Sequence, residues 1–278
     1  MHAQLEHIHH CFPGGRHKAL TFSYDDGKIE DRRLVELFNR HGLKASFNLN
    51  GAKFGRDHRI DAHELADLYA GHEVAAHSLT HPTLTRCPPE LLVQQLFDDR
   101  RRLEDLLGRA VRGFAYPNGK HDQRLHALLP ALGFAYARTT GATRSFELPQ
   151  QLFEWQPSCH HNEGLLELGQ EFLARDKSQY LDLFYVWGHS FDFERDGNWS
   201  LIERFAQQAS GHAEIWYASN IEIVDYLACL QRLQFTADCR HVHNPSAQAL
   251  WLRVDTLQAG ERRSAMFEVA GGATLSLF

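Results

Sequence analysis

Apolar and polar positions along the first third of the chain fall into two alternating patterns. Residues 19–24 form a mainly apolar run, and residues 31–40 follow with Leu34, Leu37 and Phe38 at helical spacing. A short apolar run bounded by turn residues predicts a buried strand, whereas apolar positions three or four residues apart predict one face of a helix. The sequence therefore opens with a strand followed by a helix.

This pair of patterns recurs to about residue 233. Further strands are predicted at residues 44–49, 73–76, 111–116, 134–137, 153–156, 183–187 and 215–218. Further helices are predicted at residues 62–70, 90–107, 122–132, 165–174, 201–209 and 221–233. Alternating strands and helices with short connections predict a parallel sheet, and seven or eight such units favour a closed barrel. We therefore expect an α/β fold, a distorted (β/α)7–8 barrel.

The alternation ends after residue 233. Short strand-like runs follow at residue 242 and at residues 249–254, 266–269 and 274–278, with Gly and Pro between them. The sequence thus predicts an N-terminal lead-in (1–17), a barrel (18–233) and a small C-terminal β appendage (234–278). The appendage could bind carbohydrate or form a dimer, but a β cap on the side of the barrel is favoured.

Composition narrows the classes of partner. The chain has 278 residues, 43% of them hydrophobic, and a formal net charge of -6. An acidic chain offers no basic surface for nucleic acid or an anionic membrane, and no apolar stretch approaches the length of a membrane span. We expect a small-molecule or oligosaccharide substrate, no nucleic acid and no membrane partner, while a homo-oligomer is left open.

Cysteine usage and the N-terminal residues bear on the compartment. The five Cys residues are odd in number and lack motif spacing, which is typical of reduced thiols rather than a disulfide framework. Residues 1–10 show no cationic start followed by an apolar core, the pattern of a secretory signal. We expect a cytoplasmic protein.

Two clusters of charged and titratable residues follow predicted strands. Asp25 and Asp26 close the first strand, and His77 and His81 follow the strand at 73–76. Asp26, His77 and His81 would supply three ligands to one divalent ion. These residue types suit zinc best and would admit cobalt, nickel or iron. Asp25 would then take the proton of a bound water as general base.

The same residues carry a family resemblance. Ser23-Tyr24-Asp25-Asp26-Gly27 resembles the T-F-D-D-G motif of the polysaccharide deacetylases (nodulation-deacetylase homology family, carbohydrate esterase family 4), and His77-Ser78-Leu79-Thr80-His81 matches H-[ST]-x-x-H. Ala115-Tyr116-Pro117-Asn118-Gly119 looks like a degenerate R-P-P-Y-G motif, and Val186-Trp187-Gly188-His189 lies where the last motif is expected. The resemblance covers about residues 18–230.

The resemblance implies a metal-dependent hydrolase that removes acetyl groups from an N-acetylated sugar or oligosaccharide. It assigns Asp25 as base and His189 as general acid, and it agrees with the three metal ligands. The backbone N–H of Asn118 would donate to the oxyanion, with Tyr116 and Pro117 beside it in the substrate site.

Two positions depart from the family pattern. Ala115 stands where the family has an Arg that orients the catalytic Asp, and Arg112 or Arg138 is the expected substitute. The family's fourth motif offers an Asp that tunes the catalytic His, and the segment around Arg138 has none.

Other residues are candidates for substrate contact. Trp155, together with Trp187, Phe191 and Trp199, could form walls on which a sugar ring stacks. Successive side chains on an extended strand point to opposite faces, so at most one of His160 and His161 faces the site. We assign His161 as the candidate.

Two alternative functions remain open. The same site could hydrolyse a non-sugar C–N bond, as in a cyclic ureide or a formamide, and the two departures slightly favour this. A non-catalytic carbohydrate-binding protein is the other alternative, and the intact Asp25 argues against it.

Overall fold

A curled parallel sheet of eight strands organises the protein, whose computed structural model describes residues 4–278. Strand β1 (Gln4–Cys11) precedes this sheet in the chain. The sheet consists of β2 (Lys18–Asp25), β3 (Ala45–Leu49), β4 (Glu73–Ala76), β5 (Gly113–Ala115), β6 (Tyr136–Arg138), β7 (Cys159–His160), β8 (Asp182–Gly188) and β9 (Ile215–Tyr217).

Helices follow most of these strands. They are α1 (Asp31–His41), α2 (Leu65–Leu68), α3 (Pro89–Leu107), α4 (Gln123–Ala131), α5 (Leu165–Ala174), α6 (Ser190–Arg195), α7 (Trp199–Ala209) and α8 (Asn220–Leu230). Local signals set several boundaries. Gly42 ends α1 with a left-handed φ of 64°, and the Asp122 side chain accepts from Leu125 N at the start of α4.

The strand order closes the sheet into a barrel. The strands run β6-β5-β4-β3-β2-β8-β7, and β9 also pairs with β2. The two outer ends meet through the segment before β7: Trp155 N donates to Ala137 O at 3.0 Å, and Ser158 N donates to Tyr185 O at 2.7 Å. The predicted (β/α) barrel is confirmed by this connectivity.

The apolar strands lie in the core because both of their faces are covered. Every residue of β2 and β8 is buried, as their mainly apolar runs predict for parallel strands between two layers. On the outer side of β2, Phe22 packs against Phe38 of α1 with ring centroids 4.6 Å apart. The apolar face of α1 is therefore the surface that fixes it to the sheet.

Five further strands form the appendage, β10 (Gln234–Phe235), β11 (His241–His243), β12 (Leu250–Gln258), β13 (Glu261–Val269) and β14 (Thr274–Ser276). They make two antiparallel sheets, β10-β11-β14 and β1-β12-β13. The predicted lead-in thus contributes β1 to the same sheet as the appendage. Pairing between segments about 250 residues apart has no local signature in the sequence, which is why the two were predicted separately.

Two local predictions differ from the structure. The strand predicted at 153–156 is a 3₁₀ turn (Leu152–Glu154) followed by a single bridge at Trp155. Helix α6 was not predicted, because six residues are too few to show a helical period.

All five cysteines are free. Within residues 4–278, none of the helices has the length and apolar character that crossing a bilayer requires.

Candidate metal centre and catalytic site

The predicted catalytic and ligand residues meet at one end of the barrel. Asp25 is the last residue of β2, His77 follows β4, Asn118 follows β5 and His189 follows β8. Parallel strands bring their carboxyl ends to the same face, which is where barrels of this kind carry their active sites.

Asp26, His77 and His81 form a ligand set suited to a divalent ion. Each offers one ligand atom, and these three atoms lie within 4.8 Å of one another. His77 Nδ1 lies 2.8 Å from the carbonyl oxygen of Ala115. Since a carbonyl can only accept, Nδ1 carries the proton and the lone pair of Nε2 is left for a metal, the tautomer that such ligands need.

Both histidines are held neutral. Burial lowers the pKa of His77 to about 4, although the charge of Asp25 opposes the shift. Burial also lowers the pKa of His81. A metal binds only the neutral imidazole, so both residues fit the proposed ion at neutral pH.

The backbone around this site adopts rarely used conformations. Four residues other than glycine have left-handed backbone angles, namely Asp26 (φ 81°), Ser78 (φ 64°), His81 (φ 64°) and Asn118 (φ 58°). Such residues cost roughly 1–3 kcal/mol each and cluster at functional sites.

Asp99 of α3 supports this loop conformation and was missed by the sequence analysis. Its carboxylate accepts from Gly51 N at 2.6 Å and from His77 N at 3.0 Å. It lies on the buried face of α3 between Leu96 and Leu103. An Asp on the apolar face of a predicted helix is unusual, and this position could have identified Asp99 from the sequence.

Asp25 is buried, and one oxygen of its carboxylate accepts hydrogen bonds. Asn48 Nδ2 donates to Asp25 Oδ1 at 2.8 Å, and Arg138 donates to the same oxygen. The second oxygen, Oδ2, lies 3.9 Å from His77 Nε2, on the side of the ligand set. Burial alone would raise the pKa of Asp25, but Arg138 and the nearby histidines outweigh it and hold that pKa below its usual range.

The family pattern has an Arg at the position of Ala115, and Arg138 makes the contact with Asp25 that this Arg would make. It is fully buried, and its guanidinium lies 4.8 Å from the centre of the Trp187 ring. Arg112, the other candidate, instead pairs with Asp225 on the surface at 2.8 Å. Of the two predicted substitutes, the structure selects the one on β6.

His189 has a carboxylate partner that the sequence analysis missed. Its Nδ1 lies 3.3 Å from Asp192 Oδ2, which leaves Nε2 for the substrate side. Burial alone would lower the pKa of His189, but the hydrogen bond to Asp192 and the charge of Asp25 outweigh it, and the pKa is raised. A carboxylate three residues after His189, in the first turn of α6, was the available signal.

Several basic side chains surround the carboxylate of Asp192. Arg195 Nη1 lies 2.7 Å from its other oxygen, while His160 Nε2 and His161 Nε2 lie 3.5 and 3.8 Å from Oδ2. His160 Nδ1 accepts from Asn162 N, so its Nε2 carries the proton. That tautomer suits a hydrogen bond to Asp192 and excludes His160 Nε2 as a metal ligand.

Not all predicted substrate contacts lie on the surface of the site. Asn118 is exposed at the rim, and Pro117 beside it is buried. Tyr116 is buried and donates to Phe153 O at 2.9 Å. Trp155 packs against Tyr185 inside the barrel, and His161 stacks on Phe193.

Tyr116, Trp155 and His161 are therefore buried, and Trp155 lines a separate cavity of about 290 Å³. Their assignment as substrate contacts stays a prediction. Apolar or aromatic character at a strand end is common to core and site residues, so sequence could not separate the two.

An open groove of about 440 Å³ adjoins the ligand set. It runs from Asp26 to α6, and its lining includes Lys28, Arg59, Phe191 and Glu194. Arg59 also fixes the Asp26 segment, since its Nε donates to Asp26 O at 3.0 Å. Asp26 is the member of the ligand set that lines this groove.

Comparison with known proteins finds similarity over the first half of the chain. The family model for polysaccharide deacetylase matches residues 13–137. Chitin deacetylase 1 of Cryptococcus neoformans var. grubii is 26% identical over 113 residues, an alignment that covers 40% of this chain and 23% of that protein. The chain thus spans about a quarter of this curated relative.

A solved structure shows the same fold. A candidate polysaccharide deacetylase from Mycobacterium smegmatis superposes with a TM-score of 0.61 at 16% identity, covering 82% of this chain and 96% of that chain. A family 4 carbohydrate esterase from Streptomyces lividans gives a TM-score of 0.48 at 17% identity, covering 69% and 87%. Residues 13–137, which hold Asp25, Asp26, His77 and His81, are therefore similar to the polysaccharide deacetylase family.

Proposed function

We propose that the protein is a metal-dependent deacetylase acting on an N-acetylated sugar or oligosaccharide. One observation carries the proposal: the carboxylate of Asp25 is buried, held by Arg138 on Oδ1, and presents Oδ2 toward the ligand set. A residue that only supported the fold would not need a free oxygen beside three ligand-type side chains. The match of residues 13–137 to the family model for polysaccharide deacetylase supports the same reaction.

One divalent ion at Asp26, His77 and His81, with zinc the best match to these donors, would lower the pKa of a bound water toward ~7 and polarise the acyl carbonyl. Asp25 then accepts the proton of the attacking water. Its lowered pKa keeps it ionised at neutral pH, and Arg138 and Asn48 orient it before substrate binds.

The remaining steps use His189 and Asn118. As oxygen adds to the carbonyl carbon, the backbone N–H of Asn118 donates to the developing oxyanion. His189 gives its proton to the nitrogen as the C–N bond breaks, and Asp192 holds the imidazole in the required tautomer. The products are acetate and a free amine.

The alternatives lose part of their support. The absence of an Arg at position 115 and of an Asp in the fourth motif slightly favoured a non-sugar C–N bond. Arg138 and Asp192 stand next to Asp25 and His189 in those roles. A non-catalytic binder would have no use for either arrangement.

We also propose a reducing, cytoplasmic location, in which the five free cysteines remain thiols.

Acetate release from N-acetylglucosamine oligomers tests the proposal. We expect wild-type protein to lose activity after dialysis against a chelator and to regain it when zinc is restored. His77→Ala should bind no ion and stay inactive. Hydrolysis of a formamide or ureide without acetate release would favour the non-sugar alternative, and a bound ion with no turnover of any substrate would favour a binding protein.

A further inference from the structure

Strand β13 is a long, regular and exposed edge strand. It is the outer strand of the sheet β1-β12-β13, and within residues 4–278 only β12 pairs with it. Its nine residues lie opposite β12 without a bulge, and none of them is proline. Residues 261–266 are all exposed. An edge of this kind presents a row of unpaired backbone groups, on which another strand can add.

The opposite edge of the same sheet is less suited to pairing. The register of β1 against β12 shifts between Leu5 and His7. Such a bulge bends and twists an edge strand, which is one way in which proteins prevent a further strand from adding. The sheet therefore offers β13, rather than β1, as its pairing edge.

The turn before β13 determines which of its backbone groups face outward. Gln258 lies opposite Glu261 across a two-residue loop, in which Ala259 and Gly260 have φ angles of 55° and 84°. In such a hairpin the residues that flank the loop exchange both hydrogen bonds, and bonded pairs then alternate with non-bonded pairs. The odd-numbered residues of β13 thus bond to β12, while the even-numbered residues direct their N–H and C=O groups to the free edge. These outward-facing residues are Arg262, Ser264, Met266 and Glu268.

A second copy of β13 fits this edge in one antiparallel register. Outward-facing residues of two copies form a hydrogen-bonded pair when they lie opposite each other. All four find such a partner only when Ala265 lies on the two-fold axis, which places Arg262 opposite Glu268 and Ser264 opposite Met266 of the second copy. The small side chain of Ala265 suits this axis, because Cα atoms of a non-bonded pair approach to about 4.5 Å.

The same register matches the charges of the two copies. Arg262 of each copy lies opposite Glu268 of the other, and opposite charges at directly opposed positions stabilise a strand pair. Arg262 also contacts Glu6 of its own chain at 2.8 Å, but its side chain is 77% exposed and can reach a second carboxylate. A shift of two residues in either direction separates these charges and leaves one outward-facing residue of each copy without a partner.

We infer that β13 is a dimerisation strand, on which a second copy of this chain adds to form one continuous six-stranded sheet. The partner is the chain itself because β13 is complementary to its own reversed copy in both backbone groups and charges. An interface of one strand from each copy is small, so the dimer is concentration-dependent. It does not depend on the proposed deacetylase function, since β1, β12 and β13 hold none of the residues assigned to that site.

Sedimentation velocity over a concentration series tests the interface. We expect wild type to pass from monomer to dimer with a Kd of about 1–100 µM. Glu268→Arg places two arginines opposite each other at both ends of the strand pair, and Arg262→Glu does the same with two glutamates. Both variants should stay monomeric at about 100 µM. Glu261→Arg is the matched control on the same strand, because Glu261 lies opposite Val269 of the second copy, and it should dimerise as wild type does.

Mixing the two charge variants gives the sharper test. A pair formed by one Arg262→Glu chain and one Glu268→Arg chain has opposite charges at both ends again. We therefore expect a 1:1 mixture to form a heterodimer with a Kd within about threefold of the wild-type value, seen by sedimentation with a fluorescent label on one variant. Association in the mixture also shows that both variants are folded.

Amide hydrogen exchange locates the contact. At about 500 µM, the N–H groups of the four outward-facing residues should exchange more slowly in wild type than in Glu268→Arg. The N–H groups of Arg263 and Ala265 bond to β12 and should be protected in both proteins.

Four results would overturn the inference. The first is a wild type that is monomeric at about 500 µM, and the second is a dimer that persists in both single charge variants, since another surface would then form it. The third is a pair of monomeric variants that do not associate when mixed. The last is equal exchange of the outward-facing N–H groups in wild type and Glu268→Arg.

Discussion

Asp25 and His189 each depend on a charged neighbour from a distant or unexpected part of the chain. Arg138, at the end of β6, binds the oxygen of Asp25 that faces away from the ligand set. Asp192, in the first turn of α6, accepts from His189. Each contact shifts a pKa in the direction that the role requires: Arg138 lowers the pKa of Asp25, and Asp192 raises the pKa of His189.

Replacing Arg138 by Met should move the acid limb of the pH profile of kcat/KM upward. Burial raises the pKa of Asp25, and Arg138 is the largest effect that opposes it. Without the cation, Asp25 stays protonated to higher pH and cannot act as base. A shift of about 1–3 pH units is expected. Arg112→Met, which removes a surface pair with Asp225, should leave the limb in place. An unmoved limb in Arg138→Met would mean that Asp25 is held without an arginine.

Replacing Asp192 by Asn should move the basic limb downward. The pKa of His189 is raised by the charge and hydrogen bond of Asp192, so the neutral amide lets His189 lose its proton at lower pH. We expect a shift of about one unit. Asp196→Asn provides the control, because Asp196 pairs with Arg195 and not with His189. Equal shifts in both variants would show a general effect of surface charge.

The residues of the site differ in how far sequence could identify them. Asp25, Asp26, His77 and His81 occur as short motifs after apolar runs, so spacing alone brought them together as a hypothesis. Arg138 could be proposed only as one of two arginines, since its partner lies 113 positions away. Asp192 was missed because its role depends on the turn of a helix that was not predicted.

At the scale of elements, α6 has the densest set of functional contacts for its length. Its six residues include the partner of His189, the arginine that binds that partner, and Phe191 beside the groove. Phe193 fixes the helix to the barrel. A change that displaces α6 should therefore lower activity more than the accompanying loss of stability explains.

Phe193→Ala tests this dependence. Removing a fully buried ring should lower the free energy of unfolding by about 3–5 kcal/mol. Phe172→Ala on α5 removes an equally buried ring away from the site and should cost a similar amount. Measured where both variants remain folded, kcat/KM should fall only in Phe193→Ala. A parallel loss in Phe172→Ala would mean that activity follows global stability.

Most strands and helices of the barrel were predictable, and β7 and the closing bridge were not. The apolar runs correctly predicted β2 and β8, and the spacing in 31–40 predicted α1. β7 has two residues and the barrel is completed by a bridge at Trp155. Neither has a sequence pattern, because these contacts are set by where the neighbouring strands lie.

On the scale of the whole molecule, β1 joins the N-terminal segment to the appendage. Residues Gln4 to Cys11 of β1 pair with β12. The alternation of strands and helices that predicted the barrel covers only the part of the chain between β1 and β12. The fold class was therefore predictable from periodicity. The partnership of β1 and β12 was not, since strand pairing depends on tertiary contacts.

Leu252→Ala tests whether the appendage acts on the site. Leu252 is fully buried in a cluster with Val242, Val254, Val269 and Leu277, apart from the catalytic residues. We expect a loss of about 2–5 kcal/mol in the free energy of unfolding and an unchanged kcat/KM below the unfolding transition. A fall in kcat/KM in the folded variant would show that the appendage contributes to catalysis.

The central claim is that Asp25 is the base beside an ion held by Asp26, His77 and His81. The most direct measurement is the rate of acetate release by Asp25→Asn and wild type, with the zinc content of the same samples determined by elemental analysis. We predict one ion per chain in both proteins and a rate about 10²–10⁴-fold lower in Asp25→Asn, because the amide cannot accept the proton of water. A rate within about tenfold of wild type at equal zinc content would contradict the account.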